Sequence, residues 1–554
     1  MPPAGNPAAR RTPGDFTTDA RVLLLSAMAV VVGALSAMVA LALVKLIGLF
    51  TNVAYYHRVA TDLAAPALHH LGFWAVLVPV AGGLVIGLMA RYGSERIRGH
   101  GIPEALEAIL IGRSLMSLKV AILKPLSSAI SIGTGGPFGA EGPIIMTGGA
   151  FGSLFAQAFH LSPAERKTLL VAGAAGGMAA IFATPLAAAL LAVELLLFEW
   201  KPRSFIPVAL AAAVAGALRV PLLGAGPIFP VPPHGLLAWG GLLPAVTLGL
   251  VVGLASSLLT LLVYGCEDAF GHVPIHWMWW PAIGGLVIGL GGLVAPRALG
   301  VGYDVITDLL GGHLVGGTAA VLLLVKAIIW AVALGSGTSG GVLAPLLIMG
   351  GALGSLAASW LPGHDVPLWA MVGMGAMMGG TMRAPFTAVA FVLELTHDVA
   401  TVPAVLAACI AADAVTVLLM KRSILTEKVA RRGHHVMREY SVNPLHLLRV
   451  RDAMDPAAPV PPASAAPAAA PDVVAYPDEL LEEASARLLD ADATRIPVVS
   501  RDDGATVIGM LRRSGVMAAW LEAARDEHTG EPGYLSARLR LLRGRIRRLV
   551  ARAR

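Results

Sequence analysis

The sequence predicts an all-α polytopic membrane protein made of two related halves, with a small soluble α/β unit near its C-terminal end. Of its 554 residues, 56% are hydrophobic and 14% are charged, whereas soluble domains carry about 25% charged residues. Many of its apolar runs approach the ~20 residues that a helix needs to cross a bilayer. The runs lie at 21–50, 73–90, 141–159, 168–198, 204–219, 236–264, 278–295, 318–334, 342–360 and 384–420.

The first apolar run follows a polar, Pro/Gly-rich segment, residues 1–20. That run is too long for the apolar part of a cleaved secretory leader. Basic residues flank several runs, and the positive-inside rule assigns them to the cytoplasm. They are Arg10, Arg11, Arg91, Arg96, Arg98, Lys421 and Arg422. We therefore expect a multi-pass protein of the cell (inner) membrane with both termini cytoplasmic.

An internal repeat divides the membrane part, residues 21–430. The segment GGAFGSLFA at 148–156 returns as GGALGSLAA at 350–358, with seven of nine residues identical at an offset of 202. The same offset relates Lys124 to Lys326. Glycine- and proline-broken segments at matching positions of two halves indicate a transport site at the interface between the halves. The halves cover about 20–220 and 235–420.

Three glycine-rich segments combine these features: GHGIPE at 99–104, GAEGP at 139–143 and GGVLAP at 340–345. Each is predicted to enter a helix, whose first N–H groups lack partners and carry a partial positive charge. Several such helix starts together bind an anion without a full cation, and glycine permits close approach. Because a carboxylate is costly inside a membrane, Glu141 in the second segment is a functional candidate.

The composition changes in the C-terminal part. Residues 431–471 read as a connector and a Pro/Ala-rich linker, and 472–525, with a start near 448, as helix, strand, turn, strand and helix. The tail, 526–554, is basic and amphipathic. It either lies on anionic lipid or is a solvated basic tail. Two cysteines, Cys266 and Cys409, imply neither a disulfide framework nor a metal site.

The order of the three segments, together with Lys124 before the second segment, resembles the CLC family of chloride channels and chloride/proton exchangers. The resemblance covers residues 20–430. The C-terminal unit resembles the CBS module that often accompanies CLC proteins. The resemblance implies two inverted-topology halves with broken helices, a homodimer and one pore per subunit. It also implies that the CBS-like units pair across the dimer, since such modules usually work as pairs.

The resemblance identifies Glu141 as the gate, because its carboxylate and chloride compete for one site and protonation or movement of the side chain opens it. It also implies anion-binding residues. These are Gly99, His100, Gly101, Ile102, Pro103, Gly139, Ala140, Gly142, Pro143, Gly341, Val342, Leu343 and Leu425. Electrostatic and proton-path positions are Lys124, Glu194 and Leu195. For Lys326, and for the repeat-related pair Glu194 and Glu394, we expect structural roles.

Four positions depart from the family pattern. His100 replaces a serine and Leu425 a tyrosine, both ligands of the central anion; Leu195 replaces an internal proton-carrying glutamate, and Ala140 an arginine. Backbone amides still bind the anion, so we expect conduction to persist. With the internal acid and one hydroxyl missing, we expect weak or absent coupling to protons.

The leading function is therefore transmembrane anion transport, with chloride as substrate, a lipid bilayer as surroundings and no nucleic acid partner. The first alternative is a chloride/proton antiporter in which Glu194, Glu199 or His100 replaces the missing acid. A second alternative is a membrane sensor that responds to a nucleotide bound at the CBS-like unit. We expect no other cofactor. Glu141 and His100 lack the nucleophile or metal motif of an intramembrane enzyme, so no enzymatic activity is expected.

Overall fold

The computed structural model describes residues 20–233, 241–433, 448–456, 473–502 and 506–526. These residues form two compact units, one of membrane helices and one small α/β unit. The N-terminal segment before residue 20, the Pro/Ala-rich stretch at 457–472 and the tail after 526 lie outside the described residues. The predictions made for them stay predictions.

The first half of the membrane unit contains eight helices. They are α1 (Arg21–Tyr56), α2 (Leu77–Leu88), α3 (Ile102–Leu110), α4 (Leu118–Gly133), α5 (Glu141–Gln157), α6 (Pro163–Phe182), α7 (Pro185–Leu191) and α8 (Pro202–Leu223). A π-helical turn, Ala192–Leu197, extends α7.

The second half repeats this order about 200 residues later, as the sequence repeat predicts. Its helices are α9 (Leu242–Gly271), α10 (Trp280–Val294), α11 (Tyr303–Leu310), α12 (Gly316–Gly335), α13 (Leu343–Ala357), α14 (Val366–Met382), α15 (Pro385–Thr396) and α16 (Val402–Leu419). Helix α17 (Ile424–Arg431) follows. Repeat-related helices pack on each other: α2 on α10 and α7 on α15. Seven segments of the described chain are long and apolar enough to cross a membrane.

Glycines let the central helices pack closely. A methyl group on Gly148 of α5 would overlap the carbonyl oxygen of Gly173 in α6, and one on Gly350 of α13 would overlap that of Gly373 in α14. Association of membrane helices depends on such small residues, because lipid provides no hydrophobic drive between them. The repeated sequence thus gives each half the same tight helix pair.

These packed helices bury two chain breaks. Helix α4 ends at Gly133 and α5 begins at Glu141, while α12 ends at Gly335 and α13 begins at Leu343. The residues between them are almost all buried. Irregular backbone at membrane depth is tolerated only inside protein or beside a cavity. The breaks are therefore placed where the sequence predicted a site.

The small unit contains α18 (Val450–Ala453), α19 (Leu481–Asp490), β1 (Arg495–Val499), β2 (Val507–Arg512) and α20 (Arg513–Asp526). The strands pair antiparallel, with Ile496 opposite Leu511 and a register shift between Val498 and Val499. Leu481 and Leu488 of α19 pack with these strands in a separate apolar core. The order helix, strand, strand, helix agrees with the sequence prediction.

Candidate functional site

Backbone hydrogen bonds join the three glycine-rich segments. The N–H groups of Gly139 and Gly341 donate to each other's carbonyl oxygens at 3.3 and 2.9 Å, and the N–H of Gly340 donates to Gly99 O at 3.4 Å. The second segment is thereby paired with the third, and the third with the first. Segments separated by up to about 240 residues thus form one junction inside the membrane unit.

The junction needs glycine where the segments touch. Gly101 has a φ of +91°, and a methyl group there would lie 2.8 Å from Gly142 O. A methyl group on Gly142 would overlap the carbonyl oxygen of His100 and lie 3.2 Å from the Cα of Gly341. Side chains would separate the helix starts, so glycine sets how closely they approach.

Three helices begin at this junction: α3 at Ile102, α5 at Glu141 and α13 at Leu343. Their first N–H groups have no partner within their own helix, and their N-terminal ends carry partial positive charge. The structure buries the other predicted anion-binding residues of the three segments. These are Pro103, Ala140, Pro143 and Val342.

Glu141 lies directly at the start of α13. Its Oε1 accepts hydrogen bonds from the backbone N–H of Leu343 and, at 3.2 Å, from that of Ala344. The residue is fully buried, and its Oε2 has no hydrogen-bond partner among the described residues. A carboxylate therefore occupies the N–H groups that an incoming anion would use. This arrangement is compatible with the gate role expected for Glu141, which stays a prediction.

His100 belongs to the same junction and is 4% exposed. Its Nδ1 is buried without a hydrogen-bond partner in the part of the chain that the structure describes. Glu104, Lys428 and Lys124 interact with it electrostatically. A buried ring nitrogen without a partner can donate to, or accept from, a species that enters the site.

Two charged residues after the last long helix also reach the junction. The Nζ of Lys428 lies beside Gly99, 2.5 Å from where a methyl group on Gly99 would be. Arg432 pairs with the buried Glu104 at 2.8 Å, and Glu104 accepts a hydrogen bond from Gly101 N at 3.0 Å. Sequence reasoning missed the contacts of Lys428 and Arg432, because their partners lie more than 300 residues away in the chain and no local pattern signals them.

A cavity of about 460 Å³ opens beside these residues. Five cations and three acids line it: Arg96, Arg98, Lys428, Arg431, Arg432, Glu95, Glu107 and Glu267. Low-dielectric walls that carry excess positive charge attract anions and raise their local concentration. The cavity therefore provides an anion-attracting approach to the junction.

The two repeat-related lysines hold corresponding loops. Lys124 Nζ donates to Ile97 O at 2.9 Å and Gly99 O at 2.7 Å. Lys326 Nζ donates to Ala298 O at 2.9 Å and to the carbonyl of Gly300 at 3.3 Å. The structural role expected for Lys326 agrees with these bonds, and Lys124 makes the same pair of bonds beneath the first segment.

The acids Glu194 and Glu394 each bind the start of a helix in the opposite half. Glu194 Oε2 accepts from Thr387 N at 2.9 Å and Thr387 Oγ1 at 2.5 Å, at the start of α15. Glu394 accepts from Leu186 N at 2.9 Å and Ala187 N at 2.8 Å, at the start of α7. These reciprocal helix caps support the structural role expected from the repeat.

A model of the voltage-gated chloride channel family matches residues 82–417, which include all three segments of the junction. The chain belongs to the CLC family. It is a multi-pass membrane protein, and CLC-type anion transport is its activity class.

Two relatives extend the match. A relative from Ralstonia nicotianae, named as a ClcB-like chloride channel protein, is 31% identical over 363 residues, which cover 64% of this chain and 83% of the relative. An H(+)/Cl(−) exchange transporter, ClcA, of Salmonella arizonae is 28% identical over 433 residues, covering 74% of this chain and 89% of ClcA.

Solved structures agree in fold. A slow cyanobacterial Cl−/H+ antiporter superposes with a TM-score of 0.66 at 20% identity, covering 75% of this chain and 99% of the other. A CLC-type fluoride/proton antiporter gives 0.63 at 20% identity, covering 72% and 97%. At this identity the likeness shows that the membrane unit has the CLC fold.

Two of the residues that depart from the CLC pattern, Leu195 and Leu425, are buried. Leu195, in the π-helical turn after α7, is 1% exposed, and Leu425, at the start of α17, is fully buried. Helix α17 packs on α3, which begins in the first segment. The side chains of Leu195 and Leu425 offer no hydrogen-bonding or titratable group.

Proposed function

We propose that this CLC protein is a chloride/proton antiporter whose gate is Glu141. The observation that carries the proposal is the Glu141 carboxylate on the first N–H groups of α13. Chloride and the carboxylate compete for those groups, so a proton on Glu141 weakens its hold and admits chloride. One group then exchanges a proton for an anion at one place, which is the minimum that antiport requires.

The ClcA relative supports exchange, the reverse of the expectation drawn from Leu195 and Leu425, whereas the ClcB-like relative is named as a chloride channel protein. ClcA, matched over 74% of this chain, is an H(+)/Cl(−) exchange transporter. A missing internal acid removes one proton carrier, whereas water or another titratable group can supply a route. We place His100 on this route, because it lies at the junction and its Nδ1 has no hydrogen-bond partner in the described part of the chain.

An uncoupled channel is the second candidate, and the buried, apolar Leu195 favours it.

Both candidates include a homodimer in the inner membrane with cytoplasmic termini. Helix α9 exposes leucines at helical spacing that lipid or a second copy would cover. They are Leu250, Leu254, Leu258 and Leu261.

The deciding measurement is the reversal potential of chloride flux in proteoliposomes under a tenfold pH gradient. An antiporter shifts this potential with the pH gradient and pumps protons uphill when chloride flows downhill. A reversal potential that follows the chloride gradient alone would make the protein a channel. Leu195→Glu should strengthen the shift, and Leu195→Gln, which does not titrate, is its matched control.

A further inference from the structure

Four polar side chains form a buried cluster beside the junction. Ser339, in the loop before α13, places its Oγ 2.8 Å from Ser128 Oγ and 3.2 Å from Ser127 Oγ, both on α4. The same oxygen accepts a hydrogen bond from Lys124 Nζ at 3.1 Å. All four side chains are fully buried. We call Lys124, Ser127, Ser128 and Ser339 the hydroxyl cluster.

The hydroxyl cluster connects two of the three segments. Lys124 binds the carbonyl oxygens of Ile97 and Gly99, at the entrance to the first segment. Ser339 immediately precedes Gly340 of the third segment, and Gly99 and Ser339 are themselves paired in a β-bridge. Through Ser339, the ammonium group therefore fastens the first segment to the third.

The repeat provides an internal comparison. The offset of 202 places Ile329 and Trp330 where Ser127 and Ser128 lie, and Pro137 where Ser339 lies. Lys326 nevertheless binds its two carbonyl oxygens as Lys124 does. Each half therefore has a lysine that binds the loop before it. Beside Lys326, the two serine positions of α4 are replaced by Ile329 and Trp330, and the first-half counterpart of Ser339 is Pro137. The pair of lysine-to-carbonyl hydrogen bonds therefore occurs both with and without neighbouring hydroxyls.

Burying hydroxyls is costly unless they are hydrogen-bonded, and a bonded network in a low-dielectric interior is stiff. A hydrogen bond to a charged group is also stronger than one between neutral groups. The cluster therefore holds the Lys124 charge and the spacing between the starts of α3 and α13. This spacing determines how closely the first N–H groups of α3 and α13 can approach one anion.

We propose that Ser339, held by Ser127 and Ser128, is a positioning residue that sets anion selectivity by fixing Lys124 between the first and third segments. The proposal rests on the proposed anion transport. Removing the hydroxyl leaves the ammonium with one bond fewer and frees the third segment to move. The site then favours chloride less over larger, weakly hydrated anions such as thiocyanate and nitrate.

The test measures chloride, nitrate and thiocyanate fluxes in proteoliposomes. Ser339→Ala should lower chloride preference over thiocyanate about tenfold, the effect of losing one hydrogen bond to a charged group. Ser339→Thr, which keeps the hydroxyl, should restore most of it, and Ser128→Ala should show a smaller loss. Ser336→Ala is the matched control, because Ser336 is a buried hydroxyl of the same loop bonded to Ala333 O and Thr338.

Unchanged selectivity in both Ser339→Ala and Ser128→Ala, with chloride flux retained, would overturn the proposal. So would an equal shift in Ser336→Ala, which would indicate general loosening of the loop. A loss of proton coupling at constant selectivity would instead make the cluster part of a proton path and would also overturn it. Absence of anion flux in the unmodified protein would refute the proposed function itself. A change in the selectivity ratio of a variant tests only the role of Ser339, so the two failures are distinguishable.

Discussion

The carboxylate of Glu141, at the first residue of a helix in one half, accepts a hydrogen bond from the backbone N–H of Leu343, at the first residue of a helix in the other half. This contact therefore spans the boundary between the two repeats. Whatever moves or neutralises this side chain exposes the start of α13 to an anion. In the proposed mechanism, the negative charge of Glu141 takes the place of the transported ion.

Glu141→Gln should keep the shape of the gate and remove its charge. A neutral amide competes poorly with chloride for the N–H groups of α13, so we expect chloride flux to persist, to lose most of its pH dependence and to lose its coupling to protons. Chloride efflux from liposomes at acidic and neutral pH measures this. Glu165→Gln is the control, because Glu165 also lies in the first turn of a helix but outside the junction. A folded Glu141→Gln protein without flux would refute the gate assignment.

Anion affinity should depend on His100. The buried imidazole supplies a donor where a hydroxyl is usual, so His100→Ala should weaken chloride binding by roughly tenfold, as expected for loss of a hydrogen bond to an ion. His100→Ser should bind chloride nearly as well as the unmodified protein. Calorimetric titration of the purified protein with chloride gives the affinities. Equal affinity in all three proteins would remove His100 from the binding site.

The reciprocal helix caps should act on stability more than on transport. Glu194→Ala and Glu394→Ala should each lower the free energy of unfolding by about 1 kcal/mol, the usual effect of losing a helix cap. Their chloride flux per folded protein should stay close to that of the unmodified chain. Thermal unfolding in detergent and flux assays on the same samples test this. If Glu194→Gln kept its stability but lost proton coupling, Glu194 would be a proton carrier instead.

The small C-terminal unit should associate with a second copy. Helix α20 exposes Met517, Trp520 and Leu521 by 57%, 40% and 43%, a stripe at helical spacing with nothing described against it. A fragment of residues 445–525 should sediment as a dimer, and Met517→Glu with Trp520→Glu should make it monomeric. Glu522→Lys on the same helix is the control. A monomeric unmodified fragment at high concentration would contradict the pairing expected across the CLC dimer.

The sequence was sufficient for features that depend on local pattern. The apolar runs, the repeat and the three glycine-rich segments predicted the helices, the chain breaks and the position of Glu141. Each of these patterns can be recognised in short stretches of adjacent residues. Glu194 and Glu394 were correctly paired as structural equivalents, since the repeat aligns them. What the repeat could not give was the partner of each acid, which lies in the other half.

Contacts between distant segments were beyond prediction for the same reason. No local pattern marks Arg432, which pairs with the buried Glu104 of α3. None marks Ser339 either, and it accepts a hydrogen bond from Lys124. The expectation of weak coupling was drawn from Leu195 and Leu425, whereas a proton route depends on the whole path, so the expectation stays a prediction for the reversal-potential measurement.

The exchange of caps between Glu194 and Glu394 has a consequence for how this chain is assembled. When two identical copies meet on a two-fold axis, residue i of one contacts residue j of the other and the reverse. Here that pattern occurs within one polypeptide, with Glu194 serving α15 and Glu394 serving α7. The starts of α7 and α15 are each capped by an acid of the opposite half. The two halves therefore contact each other as two subunits of a dimer would. Because the chain between α8 and α9 joins them covalently, this contact does not depend on protein concentration.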